Sequence, residues 1–222
     1  MIFSIDTWLD EFAIKIKNEF VDQVIFIGLQ GSYQRNEATA SSDIDVVVIL
    51  MTLTIEDLKK YKNIIAQMPY KEKVCGFISG KREIMGWEKA DLFQFYYDTK
   101  PIYGNIDYLL PLIGEQDIKC AIKIGACNLY HAGCHNFIYE DSREILAALY
   151  KSAFFVLQAK YFYEKKQYVS SKSELVSKLK GIDKEILEIC IERERIRKID
   201  DESLSLYSDK IITWSSGLIK DY

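Results

Sequence analysis

Short, uninterrupted apolar runs in the first half of the sequence constrain the fold more than any other feature. They are VIFIGL at 24–29, IDVVVIL at 44–50 and VCGFIS at 74–79. Each run has the length of a strand, and the lack of polar alternation is typical of strands buried on both faces. Helical periodicity precedes the first run, where Thr7 and Asp10 have capping-box spacing, and fills residues 55–68. The alternation predicts a sheet with flanking helices.

The pattern changes after about residue 112, where helical periodicity dominates. The segments that carry it are CAIKIGACNLYH, SREILAALYKSAFFVLQAKYFYEK, KSELVSKLK and DKEILEICIERERI. The sequence therefore predicts an α+β protein with a small mixed sheet and flanking helices at 1–112, followed by an all-helical bundle domain at 113–222.

Composition excludes several classes of protein. Hydrophobic residues make up 49% of the 222 residues, which is enough apolar surface for a packed core. The net charge of -4 argues against a long nucleic acid as partner. No apolar stretch reaches the roughly 18 residues that span a bilayer, and the N-terminal segment lacks the features of a signal peptide, so we expect no membrane partner and a cytoplasmic location. The five cysteines are expected to be reduced core thiols.

Two aspartates stand at the start of the second apolar run. In an extended strand residues i and i+2 face the same side, so Asp43 and Asp45 present their carboxylates together while Ile44 turns into the core. Carboxylates so close repel each other unless a cation neutralises them, and Mg²⁺ is the natural partner for oxygen ligands. The alternative is that both aspartates are solvated residues at a strand end.

A glycine and a serine follow the first apolar run directly. Residues 33–42, YQRNEATASS, are expected to form a short helix that leads to the second strand. The unpaired backbone N–H groups at its start, together with the hydroxyl of Ser32 beside Gly31, offer donors to a phosphate. A phosphate cradle and a metal site are thus predicted within one stretch of chain.

The stretch GSYQRNEATASSDIDVVVIL, residues 31–50, resembles the signature of the nucleotidyltransferase superfamily, which includes DNA polymerase beta and the minimal nucleotidyltransferases. It is similar to the bacterial form G-S-x-A-R-G-E-A-x-x-x-S-D-I-D. The resemblance covers about residues 20–105. The helical half is loosely similar to the C-terminal domains of kanamycin-type antibiotic nucleotidyltransferases.

The resemblance implies roles for particular residues. Gly31 and Ser32 would hold the triphosphate of ATP or another nucleotide, and Asp43 and Asp45 would bind Mg²⁺. The positions that shape or support the site are Arg35 and Ser42. The implied reaction is attack of an acceptor hydroxyl on the α-phosphorus, with pyrophosphate leaving.

The sequence departs from the family pattern at the third carboxylate, which active members usually carry on the next strand. VCGFIS has no acid, so Glu83, just past that strand, is the candidate for this catalytic role. The alternative for Glu83 is a solvated acid at a helix start. Weaker candidates for the acid are Glu72, Asp91 and Asp98.

Two features of the helical half allow more than one interpretation. Lys151 lies among apolar neighbours, and it either extends from the core to solvent or reaches the triphosphate. Cys127, His131 and Cys134 fall on one helix face with His135 adjacent, which is a possible soft-metal cluster. The alternative is that Cys120, Cys127 and Cys134, at seven-residue spacing, form a helix face packed in the core.

Three functions compete for this pattern. The first is Mg²⁺-dependent transfer of AMP from ATP to a hydroxyl of a small neutral or cationic acceptor, such as an antibiotic. The second is AMPylation of a protein partner, as in antitoxin-like minimal nucleotidyltransferases. The third is a nucleotide-binding module without turnover, which the missing strand acid motivates.

Overall fold

The computed structural model describes residues 4–222 and divides the chain into two compact units, Met1–Leu112 and Ile113–Tyr222. Residues 1–3, which belong to the segment used to predict that no signal peptide is present, lie outside the described residues. The first unit contains a sheet and helices, whereas the second is helical. The α+β class predicted from the sequence is confirmed.

The elements of the first unit alternate between helices and strands. In chain order they are α1 (Ile5–Phe20), β1 (Val24–Leu29), α2 (Gly31–Gln34), β2 (Ile44–Leu50), α3 (Ile55–Ala66), β3 (Val74–Gly80), α4 (Lys81–Met85), α5 (Lys89–Tyr97) and β4 (Lys100–Tyr103). Short 3₁₀ turns cover Val21–Gln23, Lys71–Lys73 and Asp107–Leu112. β1, β2 and β3 coincide with the three apolar runs of the sequence to within one residue.

The sheet is mixed, with the strand order β3-β2-β1-β4. β1 pairs antiparallel with both β2 and β4. β2 and β3 are parallel, and α3 forms the crossover between them. Because the two strands run in the same direction, the starts of β2 and β3 lie side by side at one end of the sheet.

The core of this unit lies between one face of the sheet and helix α1. The helix begins at Ile5 with Ser4 as its N-cap, and the Ser4 hydroxyl accepts a hydrogen bond from the amide of Thr7, so the predicted cap pair of Thr7 and Asp10 is wrong. The buried side chains of α1 are Trp8, Leu9, Phe12, Ala13, Ile16 and Phe20. They pack against alternate strand residues, among them Ile44, Val46 and Val48, which fixes that face of β2 inward.

The predicted helix at 33–42 is also wrong in length. α2 spans only Gly31–Gln34, because Asn36 adopts a left-handed conformation with a φ of 56° that ends the helix. The chain then turns at Thr39, whose backbone and side chain bond Ser42. Serine and threonine compete in this way with helical hydrogen bonds, which explains the loop.

The second unit is built from five helices and two short helical turns among its described residues. The helices are α6 (Glu115–His135), α7 (Arg143–Lys165), α8 (Lys172–Lys178), α9 (Gly181–Ile191) and α10 (Asp201–Asp221), with a π turn at Asn136–Glu140 and a 3₁₀ turn at Arg193–Lys198. α6 packs on α7 and α10. A Cβ at Gly125 would lie 2.5 Å from Val156, so glycine permits the close approach of α6 to α7. Within residues 4–222, no helix is both long and apolar enough to cross a bilayer.

The cysteines do not form the core thiols that the sequence predicted. Of the five, only Cys190 is buried, whereas Cys75 and Cys127 are exposed. On α6, His131 and His135 are exposed as well. The packed-core interpretation of this face is therefore wrong, and no group of three or more His, Cys, Asp or Glu side chains in the described chain is arranged to hold a metal.

Candidate functional site

The aspartate pair lies where β2 begins. Asp43 is exposed and directly precedes the strand, and Asp45 is half-buried within it. Between them Ile44 is fully buried in the core. Because Ile44 packs toward α1, the strand pleat turns the Asp45 carboxylate to the opposite face of the sheet. That the carboxylate of Asp43, which precedes the strand, shares this face stays a prediction.

The carboxylate of Asp45 lies directly against Gly31. A Cβ at Gly31 would lie 2.0 Å from Oδ2 of Asp45, so no side chain fits there. Gly31 also has a φ of 69°, in the left-handed region that favours glycine. The structure thus brings together the glycine after β1 and the acid on β2.

Gln30 fixes the geometry of this junction. Its amide donates to the carbonyl of Asp45 at 2.8 Å, which ties the end of β1 to β2. Its side-chain amide donates to the Thr99 hydroxyl at 2.6 Å. Nothing in the sequence marked Gln30 as a site residue, because both partners are distant along the chain.

Ser32 is half-buried in the first turn of α2. Its carbonyl accepts from the amide of Glu37 at 2.8 Å, so the backbone of this turn is anchored by the loop that follows. The residue therefore lies one position from Gly31 and on the same short helix. Its contact with a phosphate stays a prediction.

Arg35 supports the site through a buried ion pair with Asp98. Its Nη1 donates to Oδ2 of Asp98 at 2.6 Å, and the two side chains are 7% and 9% exposed. The pair joins the end of α2 to the end of α5. Because its carboxylate is engaged by a guanidinium, Asp98 is a structural partner of Arg35.

Ser42 shapes the loop that enters β2. Its hydroxyl accepts from the amide of Thr39 at 2.9 Å, which closes a turn just before Asp43. The ammonium of Lys73 donates to the carbonyl of Ala40 at 2.5 Å and holds the same loop to the start of β3. Ser42 thus lies next to Asp43 in the chain, and its supporting role at the site stays a prediction.

Cys75 lies on the strand next to Asp45, and Glu83 does not come near it. Asp45 pairs with Cys75 in the parallel register, whereas Leu50 pairs with Gly80 five residues further along. The Glu83 carboxylate lies over Gly80, since a Cβ there would be 2.2 Å from Oε2 of Glu83. Five residues of strand span about 16 Å. The placement does not support Glu83 as the third carboxylate, because it lies at the opposite end of the sheet.

The other candidate residues are spread over the chain. Glu72 is exposed in the turn just before β3, and Asp91 is exposed in the first turn of α5. Lys151 is exposed on α7 of the second unit. The binding of Lys151 to the triphosphate stays a prediction.

The side chains at the aspartate pair fit a Mg²⁺ ion that arrives with phosphates. Asp43 and Asp45 supply two carboxylates at the start of β2, and the lack of a side chain at Gly31 leaves room for the Asp45 carboxylate. Mg²⁺ is commonly bound by one or two carboxylates plus substrate phosphates and water. The donor set therefore agrees with the predicted metal, provided that the remaining ligands come from outside the protein.

Comparisons with known proteins bear on the domain family and on the fold. Residues 13–104 match the nucleotidyltransferase domain family. A search of curated proteins gave no match. Thirteen chains of solved structures match.

One of them is a spectinomycin adenyltransferase from Enterococcus faecialis, crystallised with ATP and spectinomycin. It is 14% identical with a TM-score of 0.56, and the match covers 96% of this chain and 98% of that one. A nucleotidyltransferase-like protein from Exiguobacterium sibiricum is 12% identical with a TM-score of 0.36, covering 96% and 75%. Of these two structures, only the spectinomycin adenyltransferase bears on the fold, and its match covers nearly the whole chain.

Proposed function

The chain carries a nucleotidyltransferase domain at residues 13–104, and from this premise we propose that it transfers AMP from ATP, with Mg²⁺, to a hydroxyl group of a small neutral or cationic acceptor. In this proposal residues 1–112 form the catalytic core domain and residues 113–222 the helical bundle domain. Transfer of a nucleotide is the activity of the domain family. The nucleotide, the metal and the acceptor are the proposal.

The contact between Asp45 and Gly31 carries the proposal. The Asp45 carboxylate lies beside a turn in which a Cβ at Gly31 would clash with it, and Asp43 lies two residues before Asp45 in the chain. Asp43 and Asp45 would hold Mg²⁺, which when bound neutralises charge on the reacting phosphates. Ser32 would donate to a phosphate oxygen.

The residues around the pair keep this arrangement rigid. Arg35 holds the end of α2 through its buried pair with Asp98, and Ser42 closes the turn that leads into Asp43. Sites built in this way keep their shape before the substrate binds, so less ordering accompanies binding. We therefore assign Arg35 and Ser42 to positioning and not to contact with the nucleotide.

A small acceptor is favoured by two observations. The structural neighbour was crystallised with ATP and spectinomycin, and its fold matches along nearly the full length of both chains. The net charge of -4 favours approach of a neutral or cationic molecule. An aminocyclitol with free hydroxyl groups is both small and neutral or cationic, so it is the first compound to test.

The test compares three variants in the same assays. Calorimetry should show that Asp43→Asn and Asp45→Asn lose affinity for ATP in the presence of Mg²⁺ while both variants stay folded by circular dichroism. Glu83→Gln is the matched control, because it neutralises an exposed acid of the same unit at the far end of the sheet. Unchanged binding in both aspartate variants would remove the proposal.

A second candidate function is nucleotide binding without transfer. It is favoured by Cys75, which stands beside Asp45 where a further acid would lie, and by the distance of Glu83 from the pair. Pyrophosphate release from ATP across a panel of hydroxyl compounds separates the two functions. Label from [α-³²P]ATP appearing on a protein would instead indicate AMPylation of a protein partner.

A further inference from the structure

A groove with a volume of about 410 Å³ opens between helices of the second unit. This volume lies within the range of sites that bind small molecules. We propose that the groove binds a small molecule that combines a protonated amine with an apolar body. Every lining residue lies between positions 160 and 221, so the inference goes beyond the proposed function and does not depend on it.

Helix α10 provides one wall of the groove. Five of its lining residues recur at intervals of three or four positions, which places them on one face of the helix. They are Leu206, Lys210, Thr213, Gly217 and Asp221. The start of α9 adds Ile182 and Asp183, and the second half of α7 adds Lys160. The groove is therefore formed by three helices of one unit.

Gly217 keeps the groove open. A Cβ at this position would meet no atom within 4 Å, so nothing in the packing of the unit excludes a side chain there. Its φ is not in the left-handed region either, and glycine weakens the interior of a helix relative to alanine. The fold does not need glycine at 217, whereas an open groove does.

Apolar side chains line both the floor and the rim of the groove. On the floor, Trp214 and Leu218 are 5% and 4% exposed. On the rim, Ile182 and Leu206 are 44% and 59% exposed, which is unusual for large apolar side chains beside a cavity. An apolar body in the groove would cover the rim and contact the floor.

Both lysines of the lining are neutralised by carboxylates. The ammonium of Lys160 pairs with Oδ2 of Asp183, whose Oδ1 accepts from the indole nitrogen of Trp214 at 2.8 Å. The ammonium of Lys210 pairs with Glu185. Neither lysine is therefore left to attract an anionic ligand.

Two carboxylates of the lining remain for a ligand. Asp209 and Asp221 are exposed, and neither forms an ion pair among the described residues; Asp209 accepts only from the hydroxyl of Thr213, at 3.3 Å. Asp221 is also the last residue of α10, where the helix dipole is negative. The charge that the groove presents is thus negative, which favours an amine over a carboxylate of the same shape.

Three compounds with one apolar body and different charges test the inference: 3-phenylpropylamine, 3-phenylpropan-1-ol and 3-phenylpropionate. The chain contains three tryptophans, so a protein labelled with 5-fluorotryptophan gives three ¹⁹F signals, and Trp214→Phe identifies the one from the groove. We expect the amine to shift the Trp214 signal saturably at millimolar concentration and to raise the melting temperature. Its affinity should exceed that of 3-phenylpropionate at least about tenfold.

Two sets of variants separate the shape of the groove from its charge. Gly217→Leu fills the groove and should abolish the shift, and it should fold because leucine favours a helix over glycine. Ser205→Leu is the matched control, since it adds the same side chain to an exposed position of α10 outside the groove. Asp209→Asn combined with Asp221→Asn should bind the amine no more tightly than the alcohol.

Four results would overturn the inference. They are the absence of a saturable shift with the amine, tighter binding of 3-phenylpropionate than of the amine, unchanged amine binding in Gly217→Leu, and an unchanged preference for the amine in the double asparagine variant. Analytical ultracentrifugation at the same protein concentration covers a further occupant. A dimer that Gly217→Leu abolishes and Ser205→Leu retains would assign the groove to a second copy of the chain instead.

Discussion

Replacing Gly31 with alanine tests the geometry of the site most directly. The new Cβ would lie 2.0 Å from Oδ2 of Asp45, whereas side-chain contacts below 3.0 Å essentially do not occur, so the carboxylate must move by about 1 Å. A displacement of about 1 Å at a reacting group costs about 100-fold in rate, and we expect a loss of similar size in affinity for ATP with Mg²⁺. Isothermal titration calorimetry measures it.

Stability should fall as well. A residue with a Cβ costs about 1–2 kcal/mol in the left-handed region, and Gly31 has a φ of 69°. Gly181→Ala is the matched control, because Gly181 has a φ of 56° and nothing lies within 4 Å of the added Cβ. In urea unfolding, Gly181→Ala should lower the free energy of unfolding by the backbone cost alone, whereas Gly31→Ala should lower it further.

A double-mutant cycle separates the collision from the backbone strain. In an Asp45→Ala background the carboxylate is absent, so Gly31→Ala should lose only the backbone cost. For two residues in contact, the interaction free energy between their substitutions is about 0.5–3 kcal/mol, and we expect a value in this range for Gly31→Ala and Asp45→Ala. The reasoning is refuted if Gly31→Ala binds ATP with Mg²⁺ like the wild type and is no less stable than Gly181→Ala.

Three further outcomes follow from the contacts described above. Ser32→Ala should weaken ATP binding in calorimetry by about 1–3 kcal/mol while adenosine binds as before, because the lost donor serves a phosphate. Arg35→Met should lower the free energy of unfolding in urea by about 3–5 kcal/mol, because the buried Asp98 carboxylate loses the Arg35 guanidinium, and the added substitution Asp98→Leu should recover most of this loss. Burial raises the pKa of Tyr150, whose hydroxyl donates to the carbonyl of Tyr207 at 2.8 Å. The neutral phenol therefore contributes its full stabilisation of the fold below pH about 10, and this contribution is lost as the pH rises further. Tyr150→Phe should flatten the fall in the free energy of unfolding at alkaline pH.

The strands could be predicted because each is a continuous apolar run. The observed bounds of β1, β2 and β3 match those runs, and the burial of Ile44 between two aspartates follows from the pleat alone. The closeness of Gly31 to Asp45 could be predicted for the same reason, since it depends on the end of one strand, the start of the next and a turn. The order of residues along a short stretch of chain was sufficient to predict these features.

The loop at 35–42 could not be predicted from periodicity, because distant partners hold it in addition to the local bonds between Thr39 and Ser42. The helix ends at Gln34, and the side chain of the next residue, Arg35, is held by Asp98, 63 residues away. The Lys73 contact to the carbonyl of Ala40 is equally remote in sequence. Periodicity contains no information on such pairs, so the helix was predicted too long.

The misplacement of Glu83 has a different cause. A strand, a helix and a strand in succession usually form a parallel pair, and the end of the second strand is then far from the start of the first. The run at 44–50, the helical segment at 55–68 and the run at 74–79 already had this arrangement. It would have directed attention to Cys75 instead of Glu83.

Gly76 sets a limit on how this edge of the sheet can change during evolution or in the laboratory. Its φ is 146°, and a Cβ there would lie 1.9 Å from the carbonyl oxygen of Val46, so every side chain is excluded by backbone. Its neighbour Cys75 is exposed and meets no such barrier. Random mutagenesis of the two codons should therefore return folded clones with many residues at 75 and glycine alone at 76. Position 75 can therefore vary, whereas position 76 is restricted to glycine by the backbone of β2, the strand that contains Asp45.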